Sequence, residues 1–312
     1  MDKDTIKRLI IEYQQFVANI TLIEREIHLS HQLNYVFVGL RRAGKSYLMY
    51  QQIQSLLNDG HQPEEILYFN FEDDRLVNLT VEDLDLIKVS YEELYPHKPI
   101  FFLDEIQIVE HWEKFARRLA DQQYRVYITG SNAKMLSAEI ATTLGGRYIV
   151  QNVYPFSFSE FLKASKIEIG PTWYYKNRTE IVRTFSDYFS YGGLPELMLI
   201  ETIEKRQWLS NLFNKIFFGD LITRYSIRND LAMKVLIRKL AESVKQPSSF
   251  NRLTNIVSTT GAKVSTDTII DYLNFLQATW LFFSLENYAS KLVEKISNRK
   301  YYFIDNGLLN LF

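Results

Sequence analysis

The chain has 312 residues, sets 36 basic against 37 acidic side chains for a net charge of −1, and is rich in Phe (21) and Tyr (20). That length holds material for two to three domains, and no apolar run approaches the roughly 18 residues of a membrane span. The absence of cysteine excludes disulfides and thiolate metal sites, and Met1–Thr5 has no basic-then-apolar leader pattern, so a cytoplasmic protein is expected.

Ile6, Leu9, Ile10, Tyr13, Phe16 and Val17 recur at helical spacing, which predicts a helix from residue 4 to about 26, capped by Asp4 or Thr5. His28 and His31 share a helical spacing, but the nearby carboxylates form no ligand pattern, and metal binding there is not expected. Tyr35–Val38 reads as a short buried strand. The residues that follow it, Gly39-Leu40-Arg41-Arg42-Ala43-Gly44-Lys45-Ser46, fit the phosphate-loop pattern G-x-x-x-x-G-K-[ST], and a helix with apolar Tyr47, Leu48 and Met49 is expected from Lys45 to about Leu57. Glycines let backbone N–H groups turn toward phosphate oxygens where a side chain would collide. The N-terminus of the following helix favours an anion. In this chemistry Lys45 reaches the β- and γ-phosphates of ATP and the Ser46 hydroxyl ligates Mg²⁺, with nucleotide contacts expected from Gly39 to Tyr47.

Ile66–Phe71 reads as a second strand and the acidic 78–95 segment as a helix. Ile100-Phe101-Phe102-Leu103 suits a strand buried on both faces of a parallel sheet, and Asp104-Glu105 emerge at its C-terminal end, where open α/β sheets bind ligands. Asp104 is placed to hold Mg²⁺ through its water shell and Glu105 to polarise an attacking water, a pairing that favours hydrolysis over transfer. A helix around 111–122 precedes a strand at 124–129, tipped with small polar residues, which resembles the P-loop ATPases in which an extra strand lies between the phosphate-loop strand and the acidic strand. Ser131 and Asn132, beyond its tip, suit either a sensor of the γ-phosphate and attacking water or a helix N-cap. A polar helix is expected from Ala133, and a fifth strand at 148–153. Arg147, just before that strand, reads either as an arginine finger toward its own or a neighbour's nucleotide or as a surface arginine.

From Phe156 to about Leu240 the pattern is helical, broken at Gly170-Pro171 and at Tyr191-Gly192-Gly193-Leu194-Pro195-Glu196. The second break reads either as backbone offered to a nucleotide or as a plain turn. Segment 64–93 holds ten acids against Arg75 and Lys88, whereas 201–240 holds eight bases against four acids. The basic stretch suits a nucleic-acid face or a solvated helix surface. Beyond Pro247, a helix to about Val257 capped by Ser248 or Ser249, a helix at 268–277 capped by Ser265-Thr266, and strands at 280–285 and 300–305 read as a winged helix. The exposed positions of its second helix, Asp267, Asp271 and Asn274, are poor chemistry against phosphate, so a structural or oligomerisation module is set against groove reading.

Gly39–Ser46, Leu-Asp-Glu-Ile-Gln (103–107), Trp112, Thr-Gly-Ser-Asn (129–132), Gly-Gly-Arg-Tyr (145–148), Pro-Phe-Ser-Phe-Ser-Glu-Phe (155–161), Tyr-Gly-Gly-Leu-Pro-Glu (191–196) and Tyr-Phe-Ile-Asp-Asn-Gly-Leu (302–308) occur in order. This series resembles the prokaryotic AAA-type P-loop ATPases that carry a winged-helix segment and a C-terminal domain of unknown function. The resemblance implies an α/β fold: a five-stranded parallel-sheet ATPase core at 1–155, a helical lid at 156–240 and a winged-helix-like domain at 241–312. It also implies ATP/ADP rather than GTP at Gly39–Ser46, Mg²⁺ through Ser46 and Asp104, a catalytic Glu105 and a polar sensor at Ser131-Asn132. Such proteins usually continue into a restriction-endonuclease-like domain; no D…(D/E)-x-K constellation stands in these residues, and no nuclease activity is expected of them. Three functions follow as alternatives: a Mg²⁺-dependent ATPase moving lid and winged helix, with DNA, a protein or further copies of itself as partner; a nucleotide-gated switch or scaffold with slow hydrolysis; and a DNA-binding module.

Overall fold

The computed structural model describes residues 2–76, 78–130, 142–244, 246–261, 263–289, 291, 295 and 298–312. They divide into two compact units, Met1–Gly39 with Gly44–Val153, and Leu40–Ala43 with Tyr154–Phe312.

In the first unit, α1 spans Lys3–Asn19 and buries Ile6, Leu9, Ile10 and Val17, with Asp2 as its cap, accepting the Thr5 N–H at 2.8 Å. The helix stops well short of residue 26. The Gln54 side chain takes the carbonyls of Val17 and Ile20 at 3.3 and 2.8 Å, and Ile20 turns extended (ψ 135°). A carbonyl claimed from outside stops the helical ladder there.

The parallel sheet is built from β1 (Asn34–Val38), β2 (Ile66–Asn70), β3 (Ile100–Asp104), β4 (Val126–Gly130) and β5 (Tyr148–Asn152), in the order β2-β3-β4-β1-β5. The strand that follows the acidic one does lie between it and the phosphate-loop strand. Helices α2 (Lys45–Asn58), α3 (Val81–Leu94) and α4 (Trp112–Asp121) connect the strands. Aromatic rings fill the sheet's faces, as where Phe102 and Tyr127, paired across β3 and β4, stack at 4.5 Å. The acidic helix begins later than residue 78 because Thr80 and Asp83 form a capping box that fixes its start.

The second unit is helical and then mixed. It comprises α5 (Phe158–Ala164), α6 (Trp173–Lys176), α7 (Arg178–Tyr191), α8 (Thr202–Lys215), a π-helical stretch at Ile216–Thr223 and α9 (Asp230–Glu242). After these come β6 (Ser248–Ser249), α10 (Phe250–Thr259), α11 (Thr266–Ala278), β7 (Phe282–Leu285), β8 (Asn298–Phe303) and α12 (Asn306–Leu309). Strands β7 and β8 pair antiparallel, and β6 adds to β8 to give an order β6-β8-β7. Ser249 caps α10 as well as closing β6. Asp267, Asp271 and Asn274 are exposed on α11.

The break at Tyr191–Glu196 is a closed joint. Gly193 donates its N–H to Asp305 at 2.8 Å and accepts that of Phe156 at 2.7 Å. Gly192 stands at φ +83°, where a Cβ would lie 2.0 Å from the Asp305 carboxylate. The backbone there is consumed internally, which is the turn reading. Burial pushes the Asp305 carboxyl up to about 6 in spite of three N–H donors. The ordinary value in an unfolded chain is about 3.9, so Asp305's share of stability is full below about pH 4 and is lost as pH rises through 6. Between these limits the parent is expected to lose on the order of 2–3 kcal/mol relative to Asp305→Asn. Denaturant titrations of both proteins across pH 4–7 check this; parallel pH slopes would refute it.

Candidate functional site

The β1–α2 connection takes its shape from its glycines. Gly39 adopts φ +155°, and a Cβ there would lie 2.1 Å from the carbonyl oxygen of Val153. Gly44, at φ +93°, is the N-cap of α2, and among the described residues no side chain caps that helix. Its first-turn N–H groups therefore point out of the helix start, the geometry that favours an anion. Lys45 is only 5% exposed, and its Nζ donates to the Gly39 carbonyl at 3.3 Å, across the mouth of the loop. Leu40 and Ala43 are buried, and Ala43 N–H donates to Leu40 O at 3.2 Å. Tyr47 is half exposed and meets Tyr50 edge-on at 5.5 Å.

The loop's two arginines belong to the second unit and are engaged there. Arg41 grips Asp220, on the π-helical stretch, through Nε at 2.5 Å and Nη2 at 3.1 Å, and Arg224 reaches the same carboxylate at 2.8 Å. Asp220 is buried, so two guanidinium partners supply the compensation that a buried carboxylate requires. Arg42, at φ +62°, pairs with Glu196 and lies 5.8 Å over the Trp208 ring.

Asp104 ends β3 and is 2% exposed. The Thr129 hydroxyl donates to one of its oxygens, and that of Tyr68 to the other at 2.7 Å. Since Tyr68 spends its proton on Asp104, Tyr50, 3.1 Å away, must donate to Tyr68. Ser46 also hydrogen-bonds Asp104. Burial lifts the Asp104 carboxyl above its ordinary range; the Thr129 and Tyr68 hydroxyls oppose that lift, the neighbouring Glu105 charge adds to it, and Ser46 opposes it. Glu105 stands in left-handed backbone at φ 56°, its N–H held by Thr129 Oγ1 at 2.9 Å. Its carboxylate accepts from Gln107.

Gly39, Gly44, Lys45, Ser46, Asp104 and Glu105 thus lie at the C-terminal ends of β1 and β3, in one sheet. Ser46 and Asp104 form a hard-oxygen pair suited to Mg²⁺. Among the described residues no cluster of three or more His, Cys, Asp or Glu stands together. Arg147 is not brought to this end. It precedes Tyr148, which pairs with Asn34 at the opposite end of the sheet, and its guanidinium pairs with Asp121. Ser131 and Asn132 lie outside the described residues. Tyr68 and Thr129 escaped the sequence reading because only the strand order places them beside Asp104.

A family model described as an AAA domain matches residues 31–162, and one described as a domain of unknown function, DUF8612, matches residues 182–312. An uncharacterized protein of Methanocaldococcus jannaschii is 33% identical, covering 99% of this chain and 69% of its own length. An uncharacterized protein of Haemophilus influenzae is 32% identical over 92% of this chain and 72% of its own. Among solved structures, the Walker-type ATPase of Pyrococcus abyssi matches with a TM-score of 0.53 at 11% identity, over 99% of this chain and 95% of that one, a likeness of fold.

Proposed function

Since the chain belongs to the AAA-type P-loop ATPases, as a member with a C-terminal domain of unknown function, we propose that it binds and hydrolyses Mg²⁺-ATP at the 39–46 loop. The observation that carries this reading is the convergence of Lys45, Ser46, Asp104 and Glu105 at one end of one sheet, with Ser46 bonded to Asp104. Lys45 and the N–H groups at the start of α2 hold the β- and γ-phosphates, and Glu105 takes a proton from the attacking water. Ser46 and Asp104 would hold Mg²⁺, which supplies charge neutralisation at the phosphates when bound. Thr129 and Tyr68 keep Asp104 oriented. Ser131 and Asn132 retain the sensor role.

In this reading the helical segment 156–240 and the winged-helix-like segment 241–312 respond to nucleotide state. Arg147, at the opposite end of its own sheet, serves only across a boundary between copies of the chain. The alternative is a nucleotide-gated switch with slow hydrolysis. A DNA-binding role for 201–240 ranks lower, because Arg224, Lys234 and Lys239 are paired with Asp220, Asp230 and Glu242. Among the described residues no helix is long and apolar enough to cross a membrane.

Steady-state ATP turnover, with Mg²⁺ or with EDTA, with and without DNA, and with molar mass followed by light scattering, tests the reading. Mg²⁺-dependent turnover is expected, with mass growing in ATP if Arg147 acts in trans. Tight ADP retention with negligible turnover would turn the conclusion to the switch. Failure to bind any nucleotide would end both.

A further inference from the structure

Gln107 sits in the 3₁₀ turn Ile106–Ile108 that follows Glu105, and its Nε2 donates to the Glu105 carboxylate. That bond fixes which end of the amide is oxygen, because an ionised carboxylate only accepts. Among the described residues the other end, Oε1, is buried and has no hydrogen-bond partner. Buried side-chain acceptors are nearly always partnered, by protein or by ordered water, so an orphan calls for a reason. Here the orphan lies one amide group away from the base. Glu105 and Gln107 thus each offer an acceptor oxygen, and the Nε2 hydrogen bond ties the two side chains together. A water that gives one hydrogen to each would keep its lone pairs for attack.

We propose that Gln107 is a positioning residue for hydrolysis: Nε2 holds the Glu105 carboxylate, and Oε1 accepts the second hydrogen of the attacking water. This rests on the ATPase reading above. As the water oxygen bonds to the terminal phosphorus, the bond from that phosphorus to the bridging oxygen breaks, and the bridging oxygen leaves on ADP with the electron pair. One water proton passes to Glu105, and the other stays on the released phosphate. A carboxylate alone would leave the water free to rotate about a single hydrogen bond; the second acceptor removes that freedom.

The test uses Gln107→Leu and Gln107→Met in parallel, both close to the parent in volume and both lacking the amide. Turnover by each is expected to fall about 10–100-fold, the scale of general-base assistance, with KM and ATP affinity within about twofold of the parent. In a Glu105→Gln background, read by single-turnover hydrolysis, the same changes are expected to cost less than about twofold more, because both groups act on one water. A folded variant that turns over like the parent overturns the proposal. So does an equal loss with and without Glu105, or a rise in KM with kcat unchanged. A parent that binds ATP and never hydrolyses it overturns the ATPase reading and this proposal together, whereas an active parent indifferent to Gln107 overturns this proposal alone.

Discussion

Replacing Lys45 by alanine is expected to weaken ATP binding by at least about 100-fold, enough to remove it at ordinary nucleotide concentrations. The side chain is almost wholly buried, and its ammonium lies across the loop mouth on the Gly39 carbonyl. Phosphate oxygens would bring charged acceptors to an ammonium that already donates to the neutral Gly39 carbonyl. Charge-assisted hydrogen bonds contribute about 1.5–3 kcal/mol each, so two of them account for about 3 kcal/mol or more. Lys45→Met keeps the apolar stem and separates lost charge from lost packing. Calorimetric titration with ATP checks both variants. If Lys45→Ala bound ATP within threefold of the parent, the loop would not be the phosphate site.

Glu105→Gln should behave in the opposite way, holding ATP as the parent does while turnover falls by about 10²–10⁴. The amide preserves volume but cannot take a proton. The left-handed backbone at Glu105 is held by Thr129, not by the Glu105 carboxylate, so the substitution leaves that bond intact. Loss of kcat without loss of affinity identifies a group used in the transition state. Parent-like turnover in this variant would move the base elsewhere. The two substitutions therefore divide the site: one removes binding, the other removes chemistry after binding.

The parts of the site legible in the sequence were those whose chemistry is local. A strand, a glycine-framed loop and Lys45-Ser46 follow one another within a dozen residues, so their arrangement depends on backbone geometry alone. Asp104-Glu105 were legible because four apolar residues before them mark a buried parallel strand with its end at the ligand edge. Tyr68 and Thr129 carry no such mark. Tyr68 is one aromatic among many, and Thr129 one polar residue at a strand end. Their roles follow from β3 standing between β2 and β4, in register with Asn70 opposite Asp104 and Ile128 opposite Leu103. Gln107 is close in sequence to the base, but which way its amide faces depends on the turn that carries it.

Direction along a sheet decided the rest. From the sequence, Arg147 reads as a finger toward its own or a neighbour's nucleotide or as a surface arginine. Yet β1 enters its loop at Val38, and β5 leaves Arg147 at the far end, about five residues or roughly 16 Å away along parallel strands. The Gly192-Gly193 break likewise looked available to a ligand until Asp305, more than a hundred residues on, was found accepting its N–H. By itself the amino-acid order determined the phosphate loop, the acidic pair and the strands that carry them, because each is written in neighbouring residues under short-range rules. Only the tertiary structure decided which hydroxyls hold Asp104, what Arg41 grips and which end Arg147 occupies, because those contacts join residues far apart in the chain.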